Sequence, residues 1–262
     1  FVTRLPASSF EKTGSQGEPS AQLVARGEYV SRLTDCVACH SVPGGAAYTG
    51  GLKMVTPMGA IFATNITPDR ETGIGAYTLT DFDRALRSGV AKDGHRLYPA
   101  MPYPSYAKLS DDDVKALYAY YMKSVPAVHL ENRKSTIPWP LNMCWPLAVW
   151  NVVFAPSDVY RPDTSKDAQW NRGAYLVEGA GHCGACHTPR GLAFNEKGTD
   201  RHSASFVSGA LIDGRLAPSL RKDANTGLGR WSEDEAFRFT NTGRDEHAVV
   251  CGAITEACNN ST

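Results

Sequence analysis

The 262-residue chain contains no run of roughly 18 consecutive apolar residues, so nothing in it reads as a helix that spans a bilayer. A surplus of either charge is missing too: 27 basic side chains cancel 27 acidic ones. That balance argues against nucleic acid as a partner, because such binders carry a basic excess. The opening residues FVTRLPASSF lack the apolar core of roughly 7–15 residues that marks an export signal, so the chain reads as already processed. No Ser/His/Asp set and no Gly-rich nucleotide motif stands out. Methionine is sparse, with 5 in all and none after Met143. What remains is 42% hydrophobic, enough to pack a core and to exclude disorder as the main state. The 24 glycines and 16 prolines point to many loops. The length suits one large domain or two of about 130 residues.

Cysteine carries the first strong signal. Four of the 7 cysteines lie in two identical patterns, Cys36-Val-Ala-Cys39-His40 and Cys183-Gly-Ala-Cys186-His187. C-x-x-C-H is the covalent attachment signature of c-type haem: the two thiols add across the vinyl groups, and the adjacent imidazole binds the iron from one face. A zinc site built from two C-x-x-C knuckles, or a thioredoxin-type redox pair, gives no reason for a histidine directly after the second cysteine in both copies. Cys144, Cys251 and Cys258 are left over. Three thiols cannot all pair internally, and buried small apolar side chains are the ordinary reading for each.

The two halves repeat one another. Gly27-Glu-Tyr29-Val leads into the first motif and Gly173-Ala-Tyr175-Leu into the second; Thr72-Gly-Ile-Gly75 matches Thr226-Gly-Leu-Gly229, with Ala63/Ala217 and Asp69/Asp223 in register. Thr78-x-x-Asp81 and Ser232-x-x-Glu235 read as helix starts, and Gly89 and Gly243 as left-handed stops. The expected fold class is mostly α, as two tandem haem domains, over 21–125 and 170–262, after an N-terminal extension 1–20. In the first, an opening helix over about Ala21–Cys36 packs against a closing helix from Ser110, whose Val114, Leu117, Tyr118 and Tyr121 form one stripe. The second is expected to lack its closing helix, since the chain ends where that helix would begin. Residues 126–169 read as a Pro/Trp-rich connector whose apolar stretch from Trp139 to Phe154 packs between the units or meets a partner or a membrane surface.

An iron that only passes electrons needs a second axial ligand, and a thioether raises its potential. The expected iron ligands are therefore His40 with Met101, held among Pro99, Pro102 and Pro104, and His187. Met54, Met58, Met122 and His95 compete less well with Met101, and Met143 reads as core. For the second iron the repeat places Ile254 in the ligand slot, leaving an open site, His247, His202, Cys251 or another chain. A carbonyl near Pro43 and Pro189 is expected to accept the imidazole Nδ1–H. Tyr77, its counterpart Trp231, and Arg190 are expected to meet haem propionates.

Gly27-Glu-Tyr-Val, Asp35-Cys-Val-Ala-Cys-His40, Ala63-Thr-Asn-Ile-Thr-Pro-Asp69, Gly94-His-Arg-Leu-Tyr-Pro-Ala-Met-Pro-Tyr-Pro-Ser-Tyr106 and Trp139-Pro-Leu-Asn-Met143 together resemble the multihaem cytochrome c subunits of membrane-bound bacterial dehydrogenases. The resemblance implies class I cytochrome c-like domains and covalent haem c, two in this chain and a third in a full-length member. It implies no substrate-oxidising site here. Electrons would come from a catalytic subunit with a flavin, quinone or molybdenum cofactor. They would pass to ubiquinone at the periplasmic face of the cytoplasmic membrane, with peripheral membrane association. A two-haem peroxidase with an open second haem is the alternative, and a free-standing carrier a third reading.

Overall fold

A computed structural model describes residues 5–12, 17–212, 214–244 and 246–250. The chain divides into two compact units, one of residues 1–31 and 36–160, the other of residues 32–35 and 161–262. The structure is mostly helical, with two short two-stranded antiparallel sheets. None of the described helices is long and apolar enough to cross a membrane.

In the first unit, Ser20 starts helix α1 (Ala21–Leu33) by accepting the Leu23 N–H through its hydroxyl, 3.2 Å. Helix α5 (Asp111–Lys123) begins at Ser110, whose hydroxyl accepts from Asp113, and three acids in its first turn favour the positive helix end. The two helices cross closely. A Cβ added at Gly27 would sit 2.0 Å from the Ala116 carbonyl oxygen, Arg26 pairs with Asp113 at 2.8 Å, and the Ser31 and Tyr121 hydroxyls bond at 2.9 Å. Between them lie α2 (Cys36–Cys39), the hairpin β1 (Lys53–Thr56) and β2 (Gly59–Phe62), α3 (Leu79–Ser88) and α4 (Tyr103–Tyr106). Helix α3 carries both halves of its capping box, Thr78 with Asp81, and ends on left-handed Gly89. The core comprises Val30, Phe82, Leu86, Tyr103, Leu109, Val114, Leu117 and Tyr121.

The opening helix stops short of Cys36. Asp35 has φ 51°, so α1 ends at Leu33 and the cysteine motif starts a new turn of helix. Residues 126–160, connector-like in composition, are tied onto the first unit. Asn65 binds Val128 and Asn132, the Ala60 amide donates to Thr136, and Asn151 on α6 (Pro146–Phe154) joins the Tyr103 hydroxyl to the Ser88 carbonyl. This clamp turns Val149, Val152 and Val153 outward, 53%, 75% and 62% exposed.

In the second unit, α7 (Ala168–Tyr175) starts at Asp167 and runs directly into a π-helical turn, Leu176–Ala180. Helix α8 (Gly184–His187), the hairpin β3 (Ala210–Ile212) and β4 (Arg215–Ala217), and α9 (Glu233–Thr242) follow. Helix α9 again has a full capping box, Ser232 with Glu235, and a left-handed stop at Gly243. Glu178, buried in the π turn, pairs with Arg201 at 2.9 Å.

Candidate haem-attachment sites

Each C-x-x-C-H motif occupies a single helical turn entered through a left-handed residue, Asp35 (φ 51°) or His182 (φ 37°). The turn closes by a bond from the histidine amide to the first cysteine carbonyl, 2.9 Å for His40 and 3.0 Å for His187. Cys36, Cys39, Cys183 and Cys186 form no disulfide. Burial pushes the Cys183 thiol up to about 11, which keeps it protonated, and the Tyr121 hydroxyl reaches Cys36.

The imidazoles are oriented alike. His40 Nδ1 lies 2.7 Å from the Thr64 carbonyl oxygen, and His187 Nδ1 lies 2.7 Å from that of Pro218. A carbonyl only accepts, so Nδ1 carries the proton in each ring and Nε2 keeps its lone pair for a metal. Burial is the main influence on both rings: it lowers their pKa and so favours the neutral ligand form, while the carbonyl bond opposes it. The acceptors are thus Thr64 and Pro218, not carbonyls near Pro43 and Pro189. After each histidine the chain turns away, and the acceptor arrives from the far end of the hairpin: Thr64 follows β2 and Pro218 follows β4. Glycines hold the return. Gly50 (φ 79°) donates its amide to the His40 carbonyl at 2.7 Å, and Gly209 (φ 96°) to that of His187 at 2.8 Å. A Cβ on Gly50 would stand 2.4 Å from the Thr64 carbonyl carbon. Sequence reasoning missed these four residues, although the register that pairs Ala63 with Ala217 also pairs Thr64 with Pro218.

Two thiols, one oriented neutral imidazole and a rigid turn between them are the donor set a c-type haem requires, so each motif fits that group. Among the described residues no group of three or more His, Cys, Asp or Glu is placed to hold a metal ion by itself, which gives the zinc reading no support.

Met101 lies half-buried in the turn before α4, its amide bonded to the Tyr98 carbonyl. His95 is engaged with Asp93. In the second unit His247 has its Nε2 3.1 Å from Glu235 and its ring stacked on Trp231, 5.1 Å between centroids. His202 is exposed. Cys251, Ile254 and Cys258 lie outside the described residues. The Tyr77 hydroxyl accepts the Lys92 amide at 3.4 Å, and burial raises its pKa, so it keeps a proton to donate. Arg190 is engaged within the protein. Its guanidinium donates to the Ala185 and Phe194 carbonyls and faces Glu196, because the chain folds back on itself immediately after the motif.

Residues 24–125 match the family model described as cytochrome c. The chain is 54% identical over 243 residues to the gluconate 2-dehydrogenase cytochrome c subunit of Pantoea cypripedii, covering 91% of this chain and 55% of that protein. It is 50% identical over 261 residues to the cytochrome c subunit of alcohol dehydrogenase (quinone) from Gluconobacter oxydans, covering 98% of this chain and 54% of that one. With the fructose dehydrogenase cytochrome subunit of Gluconobacter japonicus it shares 40% identity over 242 residues, 91% of this chain and 48% of that protein. The chain spans about half the length of the curated relatives it matches.

Proposed function

This chain belongs to the cytochrome c proteins, related along nine-tenths of its length to dehydrogenase cytochrome subunits, and from that premise we propose that it is a two-haem electron relay. In this reading both units are cytochrome c-like haem domains. Haem bound at each motif supplies a one-electron iron couple. Cys36 and Cys39, with Cys183 and Cys186, are the tethers, and His40 and His187 the proximal iron ligands. Met101 completes the first iron. The observation that carries the proposal is the paired geometry of His40–Thr64 and His187–Pro218, which commits Nδ1 and frees Nε2 in both units.

The chain's own work is to hold these ligands still, since a ligand set that does not rearrange keeps the cost of electron transfer low. Substrate oxidation belongs to a catalytic partner with a flavin, quinone or molybdenum cofactor. Ubiquinone is the acceptor, at the periplasmic face of the membrane. The outward valine face of α6, with Trp139 and Trp145 77% and 56% exposed, supports a contact with such a partner or with the membrane surface. The names of the relatives do not favour the peroxidase reading.

The test is co-purification. The haem-loaded chain should carry two covalent haems by pyridine haemochrome assay, associate with a large oxidoreductase subunit, be reduced when that subunit receives its substrate, and pass electrons to a soluble ubiquinone analogue. A colourless chain, or haems that stay oxidised in the turning-over complex, would overturn the proposal.

A further inference from the structure

The two attachment turns are built differently beneath the haem-facing residues. Beneath the second, Arg190 and Glu196 face each other across a tight antiparallel return, closed by Gly191 to Asn195 at 2.8 Å and Lys197 to Pro189 at 2.9 Å. Arg190 donates one N–H to the carbonyl of Ala185, between the two cysteines, and another to Phe194 at 3.2 Å, and it stands 3.8 Å from Glu196. The Glu196 side chain is only 6% exposed, and its other oxygen lies against Gly184, where an added Cβ would approach it to 2.6 Å. The guanidinium therefore grips the turn at one inner residue while the carboxyl fills the space that a side chain at the other would need.

The first motif has none of these parts. On the offset that superposes His40 on His187, Val37 stands for Gly184; past the histidines the spacing diverges, since Gly50 follows His40 by 10 residues while Gly209 follows His187 by 22, and the return bearing Arg190 and Glu196 lies in that longer stretch. The glycine that leaves room for the carboxyl and the longer return that brings the carboxyl there occur in the same unit, as a fitted set would. A buried carboxyl held by one guanidinium is costly to leave alone, so the pair and the glycine that admits it depend on each other.

We propose that Arg190 and Glu196 are a positioning pair for the second haem, fixing the shape of the Cys183–Cys186 turn and through it the orientation of His187. The inference rests on the reading that haem is held at that motif. Neither residue touches the iron; each acts through the turn.

The experiment uses the full chain, loaded with haem during expression, with variants Glu196→Gln, Gly184→Val and Arg190→Lys. Haem stoichiometry, the spectrum of each haem and a spectroelectrochemical titration are read together, with the first haem as internal standard for folding. Glu196→Gln and Gly184→Val should lose second-haem occupancy, or shift the second potential and spectrum, while the first haem is unchanged. Arg190→Lys keeps a charge opposite Glu196 but not both carbonyl bonds, so it should shift the same readouts by less. Wild-type occupancy and potential in both Glu196→Gln and Gly184→Val would overturn the inference alone. So would a shift in Arg190→Lys with none in Glu196→Gln, since that pattern marks an arginine serving a propionate. A wild-type chain with no haem on Cys183 and Cys186 would overturn the functional reading and this inference with it.

Discussion

The side chains that chemistry demands are spelled in the sequence, but the atoms that aim them are mostly backbone. Cys36, Cys39 and His40 announce themselves by spacing, whereas the carbonyl of Thr64 has no side-chain signature. A proline serves as well in the second unit, because only the C=O is used. Arg190 shows the same limit from the other side. Its charge suggests a propionate, and only the fold reveals the carboxyl of Glu196 facing it. Elsewhere, buried arginine is structural. Arg87 is 8% exposed, ion-paired with buried Asp83 and with Asp111, and donates to the Leu109 carbonyl at 3.1 Å. Arg87→Ala would strand the Asp83 charge, so we expect a loss of about 3–5 kcal/mol in the first unit. Denaturant unfolding of the haem-loaded chain measures it. Arg87→Lys should retain part of the loss, because a point charge cannot make all three contacts.

At the scale of elements, the legible features were those set by local rules. The Thr78/Asp81 and Ser232/Glu235 capping boxes and the left-handed stops at Gly89 and Gly243 are in place. The opening helix was read too long because nothing in Thr-Asp-Cys spells the positive φ of Asp35. The π turn has a sequence cause visible once the repeat is counted. Gly27 precedes Cys36 by nine residues and Gly173 precedes Cys183 by ten, and a π-helical turn is how a helix absorbs one extra residue.

The same pair of glycines yields a contrast. Gly27→Ala drives a Cβ into the backbone of Ala116, so α1 and α5 must part. We expect about 1–3 kcal/mol of destabilisation, outweighing the about 1 kcal/mol that alanine returns in helix propensity. Gly173→Ala meets nothing within 4 Å among the described residues and should stabilise by up to about 1 kcal/mol. Thermal unfolding of the two variants side by side should show opposite signs. Helix α9 adds a pH dependence. The bonds from the Ser232 amide and hydroxyl, then that from His247, lower the Glu235 pKa from 4.5 to about 2. A depressed carboxylate stabilises fully above its unfolded value and loses that effect as pH falls through its folded one. The α9 cap should therefore hold above about pH 4.5 and fail between there and about pH 2, as followed by carboxyl NMR shifts and amide exchange of Ala236–Phe239. Glu235→Gln should remove this titration.

At the scale of the whole chain, the repeat is legible because it is written in spacings, while the proposed division of labour between the two units lies in their differences. The first unit offers Met101 in a proline-set turn. The described residues of the second offer no methionine, and Nε2 of His247 is held by Glu235. A thioether raises an iron potential relative to nitrogen or an open position, so the two haems of the proposed relay should titrate as two separate one-electron steps, the first unit's being the higher. Met101→Leu keeps the volume of the side chain and removes the sulfur. The higher step should then fall toward or below the lower one, with loss of the low-spin spectrum of that haem, while the lower step stays in place. Movement of the lower step instead would mean that Met101 serves the other iron. Two unchanged steps would mean that the first iron takes its sixth ligand from elsewhere, and the proline-set turn would then be no more than a brace for α4.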